Sequence, residues 1–233
     1  EQASSSNYPN IMILQYLKEY NVANVELLQR ISGLLDRGYG KIAGYECVQK
    51  GYDWWGGANP GHEALTAYGL MEFKDMLPVY EKVDIEMIRR TSKWLCSRRD
   101  GKGGYLRNSL ALDSFGGASQ EITDAYITYA LTEARCYDID ALIKAEYFDM
   151  EIELNHLKNK AENSNDPYLL ALAANALFNV PGNEEYGKAI ASKLAKMQQK
   201  DGSFIGTTHS ITRSTGLNLN VETTSLASMA LMK

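Results

Sequence analysis

Carboxylates, histidines, cysteines and a glutamine supply the chemistry this sequence could carry. Two acid pairs, Asp53 with Glu63 and Asp113 with Glu121, could flank a glycosidic bond as acid and base, although nothing in their spacing fixes a separation. His62 lies at a predicted helix start between Gly61 and Glu63, a position that also suits a solvated, capped histidine; His156 and His209 read as surface residues. Cys47, Cys96 and Cys136 form no short metal-ligand spacing, and an odd, sparse set makes no disulfide framework. They read as inert buried thiols. Lys93, Arg98, Arg99 and Lys102 read as a solvated helix end. Gln2 stands in a short polar entry ahead of an apolar helix start, and by itself is an unreactive amide. No metal site and no cofactor is expected.

The elements that must hold these groups are helices. A first helix is expected over residues 9–20, with Pro9 in its first turn, where a missing N–H costs nothing. A second is expected over 22–37 with Gly38 as its cap. An aromatic, glycine-rich crossing from Tyr45 to Gly61 contains Trp54 and Trp55, and Asn59-Pro60 opens the next helix, which runs to about residue 75. Further helices follow over 84–98, 120–135, 139–161, 168–178 and 184–198, interrupted by crossings at Asp100–Gly117 and Asp201–Asn220 before a last helix from Val221. Helices rich in Ala and small residues recur at a spacing of roughly 50 residues, each but the last followed by a charged amphipathic one. Small residues permit close packing, so the Ala-rich members belong inside and the charged ones outside. The expectation is an all-α chain arranged as an α/α toroid of inner and outer helices with truncated ends; a superhelical solenoid is the competing architecture.

Composition narrows the function classes. The 233 residues are 45% hydrophobic and 23% charged, enough for a sizeable core. A net charge of −5 gives no general attraction to nucleic acid or an anionic membrane. No apolar run approaches the roughly 18 residues of a membrane span. The chain opens without Met or a leader and stops while a helical pattern is still running, which reads as a piece of a longer multidomain protein.

In order along the chain, Glu1-Gln2 with Pro9-Asn10 and Tyr16-Leu17, the segment His62 to Tyr68, Gly116-Gly117 with Ala125 to Thr128, Asp166 to Ala173, and Val221 to Thr224 resemble the thioester domains of alpha-macroglobulins and complement proteins. The Gly61-His62-Glu63 helix is closest in pattern to the bacterial type. The resemblance covers residues 1–233 and implies one α/α toroid domain. It also implies a Cys-x-Glu-Gln thioester in which Gln2, with Glu1 beside it, supplies the acyl group and a cysteine lies two positions upstream of Glu1. Without that cysteine the chain is unable to form the bond. A thioester keeps less resonance protection than an amide, so it persists only where water and nucleophiles are kept away. Tyr8, Trp54, Trp55 and His62 are the candidate shield.

Complement members that prefer hydroxyls use a histidine before the Gly-Gly helix. The matching stretch, Ala111 to Asp113, has none, which by resemblance implies direct attack by amines. The implied function is single-use acyl transfer in an endopeptidase inhibitor that traps target proteases, in company with other macroglobulin domains of the same chain. Relatives of this kind are periplasmic, cell-surface or extracellular. Two alternatives remain: a carbohydrate- or isoprenoid-active enzyme on the same fold, since Gln198 and Asp201-Gly202-Ser203-Phe204 resemble turns of terpene cyclases and prenyltransferases, and a non-covalent interaction module.

Overall fold

Apolar stripes and small residues fold most of the described residues into helices. The computed structural model describes residues 2–22, 24–108, 117–134 and 149–233. Among them the extended pairings are isolated bridges, Glu46 with Tyr52, Cys47 with Gly57 and Arg99 with Tyr105. The all-α expectation therefore holds. Two compact units, Glu1–Leu95 and Cys96–Lys233, are best taken separately.

In the first unit, α1 (Gln2–Glu19) packs on α2 (Val25–Ala43) and α3 (Glu63–Met76), and α4 (Ile85–Ser97) follows. α1 begins about two turns earlier than its sequence suggests, so Pro9 lies inside it. Proline there removes one helical hydrogen bond and crowds the carbonyl of Ser5, at a cost of about 3 kcal/mol. Two side chains bond back onto neighbouring carbonyls of the same helix, Ser6 Oγ donating to that of Gln2 at 2.8 Å and Asn10 Nδ2 to that of Ser6 at 3.1 Å. Ser4, Asn7, Ile11, Leu14 and Leu17 form the single buried stripe.

α2 also differs from expectation. It starts at Val25 behind the Asn24 cap and runs through Gly38 to a cap at Gly44. Gly38 is needed for space rather than for termination, because a Cβ there would overlap the Asn7 side chain of α1. α3 is nearly enclosed, with buried residues from Glu63 to Met76. In the crossing before it, Gly51 and Gly61 lie so close to the Trp94 ring of α4 that a Cβ on either would collide with it. Arg90 of α4 grips Glu46 with two bonds, at 2.6 and 3.0 Å.

In the second unit, α7 (Pro167–Asn179) packs against α5 (Gln120–Glu133), α6 (Glu151–Asn163), α8 (Glu184–Ala195) and α9 (Gly216–Leu231). Every α7 residue from Pro167 to Leu177 is buried. Asp166 caps it, accepting from Tyr168 N and Thr207 N, both at 3.2 Å, and from Thr208 Oγ1 at 3.0 Å. α5 is buried from Ile122 to Thr132, whereas α8 buries one face. The inside and outside roles hold for these helices. They hold less well for α9, which starts at Gly216 rather than Val221 and leaves Leu217 and Val221 exposed. Of the helix expected over 139–161, residues 139–148 lie outside the described residues, and α6 itself starts at Glu151.

One device recurs in all three glycine-rich crossings. A buried aromatic residue is held through its backbone by the helix that follows. Tyr52 N donates to Thr66 Oγ1 at 2.8 Å, and Phe204 N to Thr224 Oγ1 at 2.9 Å. Each threonine hydroxyl also lies 3.4 Å from the carbonyl of the same aromatic residue. At Tyr105 the acceptor is Asp124 Oδ1, at 2.9 Å. A carboxylate cannot donate, and Gln120 supplies the missing donor, bonding both the Tyr105 carbonyl and Asp124 at 2.8 Å.

Candidate functional site

Gln2 occupies the first turn of α1 with its side chain exposed; Glu1 lies outside the described residues. Several polar contacts tie the helix bearing Gln2 to α3. Asn7 Nδ2 donates to Glu72 Oε1 at 3.0 Å, and the Tyr8 hydroxyl to Asp75 Oδ2 at 2.6 Å. Further along, Gln15 Nε2 donates to the Asp75 carbonyl at 3.1 Å and Lys18 Nζ to that of Pro78 at 2.8 Å. The Tyr8 ring also stacks on Tyr68, with centroids 6.3 Å apart and planes within 10°.

Beside this contact, Ser4 of α1 lines a cavity of about 40 Å³, walled by Tyr45, Tyr52, Tyr68, Leu65 and Asp53. It is large enough for ordered water or the tip of an amine side chain. Asp53 is buried, its Oδ1 accepting from Trp55 N and Asn59 Nδ2, both at 2.9 Å. Burial pushes the Tyr52 phenol well up, so it stays protonated.

The four expected shield residues part company. Tyr8 lies against α3 as described. Trp54 meets His62 edge-on, centroids 4.9 Å apart. Trp55 is 72% exposed and is neither core nor wall. His62 is a helix cap but not a solvated one: it is 4% exposed, its Nδ1 accepts from Leu65 N at 3.4 Å, and its backbone N donates to the Tyr52 carbonyl at 2.8 Å.

The tyrosines of the cavity wall were not singled out from sequence, and no periodic signal marks them. Glu72 had a signal: an acid at the core spacing of Leu65, Gly69 and Met76.

Other candidates resolve into structural parts. Burial raises the Cys47 and Cys96 thiols to about 11, so both are unreactive at neutral pH. Cys136, Asp113 and the stretch Ala111 to Asp113 lie outside the described residues. Arg99 corrects the solvated-cluster reading, because its Nε faces the buried Glu153 carboxylate at 3.4 Å. Glu121 pairs with Lys160 at the surface, 3.7 Å away. His156 is half-buried over Gly103, and His209 Nε2 accepts from Ser119 N at 3.2 Å, so neither is a free surface histidine. Among the described residues no cluster of ligands could hold a metal, and no helix is long and apolar enough to cross a membrane.

Comparison with known proteins agrees with the motif pattern. The A-macroglobulin TED domain family matches residues 1–232. Thioester-containing protein 1, allele S1, of Anopheles gambiae is 24% identical over 217 residues, which are 91% of this chain and 16% of that protein. Ovostatin of Gallus gallus is 26% identical over 200 residues, 84% of this chain and 13% of that protein. The chain thus spans about a sixth or less of the length of these relatives. With a match over essentially its whole length, the chain belongs to the A-macroglobulin TED domain family.

Proposed function

We propose that this chain is the thioester-bearing, acyl-donating domain of a protease-trapping macroglobulin, with Gln2 as acyl donor. The observation that supports it most is the family match over residues 1–232 together with Glu1-Gln2 at the head of a helix docked on α3. In the parent protein, a cysteine two positions before Glu1 bonds its sulfur to the Gln2 side-chain carbonyl carbon, breaking the C–N bond and releasing the amide nitrogen as ammonia. An attacking amine adds to that carbon, the C–S bond breaks, and the amine's proton passes to the departing thiolate. The products are an amide and a free thiol, and the group is spent after one event. Lysine amines of a captured protease are the acceptors, and cleavage elsewhere in the parent chain triggers exposure. Tyr8, on the same helix as Gln2 and stacked on Tyr68, belongs to the shield that keeps water from the bond. The setting is outside the cytoplasm, in the periplasm, at the cell surface or secreted, beside other domains of the same chain.

The test uses the parent chain extended upstream through the cysteine. Methylamine treatment is expected to add one methylamide at Gln2 and release one thiol, read by mass spectrometry and thiol titration. Absence of both overturns the reading. Glycan turnover that disappears when Asp53 and Glu63 are replaced would favour a carbohydrate-active enzyme instead.

A further inference from the structure

The contact between α1 and α3 contains two buried oxygen atoms without a hydrogen-bond donor, Asn7 Oδ1 and Glu72 Oε2. They belong to two side chains already joined by one bond, Asn7 Nδ2 to Glu72 Oε1. The other amide hydrogen of Asn7 points towards Met76 Sδ at 3.7 Å. Glu72 is 0% exposed and Asn7 2%, and burying an acceptor without a donor is costly. With Glu72 ionised, this pair has three acceptor oxygens, and besides the Asn7 amide only the Ser4 hydroxyl, which bonds the carboxylate, is there to serve them, so Asn7 Oδ1 has no donor. One proton on the carboxyl supplies the missing donor.

We propose that Glu72 is the positioning residue of the Gln2 helix: as a neutral acid it forms a two-point pair with Asn7, Asn7 Nδ2 donating to Oε1 and Oε2–H donating to Asn7 Oδ1. This rests on the thioester reading only for its consequence at Gln2.

The surroundings favour the neutral form. Burial is the largest influence and raises the Glu72 pKa, and the Asp75 carboxylate on α3 raises it further. Hydrogen bonds from Asn7 and Ser4 on α1 act in the opposite direction. α2 brings up Gly38, which has no side chain. Tyr8 on α1 spends its hydroxyl on Asp75. A raised folded-state pKa means that the contribution is complete below the ordinary glutamate range and is lost as pH rises through the folded value. Ionisation then removes the second bond and leaves a buried charge against α1, loosening the helix that holds Gln2.

Two measurements test this. In the first, the stability of the chain is followed by urea unfolding from about pH 5 to about pH 8. Glu72→Gln copies the neutral acid, so wild type should lose stability relative to it as pH rises. The exchanged pair Asn7→Asp/Glu72→Gln should restore the slope. A pH-independent difference overturns the proposal, as does failure of both variants to fold, since each retains a donor and an acceptor. In the second, methylamine uptake is timed in the cysteine-containing parent. The ratio of wild-type to Glu72→Gln rates should climb about tenfold over the same range, cancelling the amine's own ionisation. Uptake at a constant ratio overturns the positioning role. No uptake by either protein defeats the thioester reading and leaves the stability measurement to decide the acid–amide pair.

Discussion

α1 and α7 each contain a proline, and the two prolines do opposite things. Pro167 occupies the first helical position behind the Asp166 cap, where no hydrogen bond is lost. Pro9 interrupts α1 from within. Burial differs just as sharply. α7 is closed in on all sides, its leucines each contributing about 1.5–3 kcal/mol by leaving water. α1 buries one stripe, exposes Met12, Ile13, Tyr16 and Tyr20, and reaches α3 through hydrogen bonds. Both were expected on the inside, yet α7 is a fixed part of the scaffold and α1 a weakly self-sustaining helix held by its contacts. Under the proposed function α1 shelters an acyl group and later releases it, and the second design suits that role.

The contrast can be attacked first on the α7 side. Leu170→Ala, at a fully buried site, should cost about 2–5 kcal/mol in urea unfolding. A small effect would mean that α7 is less central than it looks. Next, Pro9→Ala should stabilise α1 by about 1–3 kcal/mol, visible as slower amide exchange from Gln2 to Glu19. Pro167→Ala should change little. Equal effects of the two substitutions would erase the distinction. Smallest of all, Trp55→Ala should shift stability by no more than about 0.5 kcal/mol and leave methylamine uptake in the parent protein unchanged. A faster uptake would place Trp55 in the shield after all.

Much of this was legible in the sequence, because strong local signals agreed with the packing. The Asp166-Pro167 start, the Gln120 start behind Ser119 and the small-residue inner helices were all readable. Pro9 was misread because the preference of proline for a first turn is only a tendency, here outweighed by the docking of Ser4, Asn7 and Tyr8. Gly38 looked like a cap, but its use is close approach between helices distant in sequence, which no local pattern encodes. The start of α9 was missed because Gly216, at φ +56, looks like loop. The tyrosine walls come from three separate stretches, Tyr45, Tyr52 and Tyr68, and meet only in the folded unit.

The bonds that tie each crossing to its next helix have a kinetic consequence. They span only 14, 19 and 20 residues, from Tyr52 to Thr66, Tyr105 to Asp124 and Phe204 to Thr224. Loops this short lose little entropy on closing, and chains rich in such contacts reach the native state quickly. Each repeat can therefore assemble from its own sequence before its neighbours are in place.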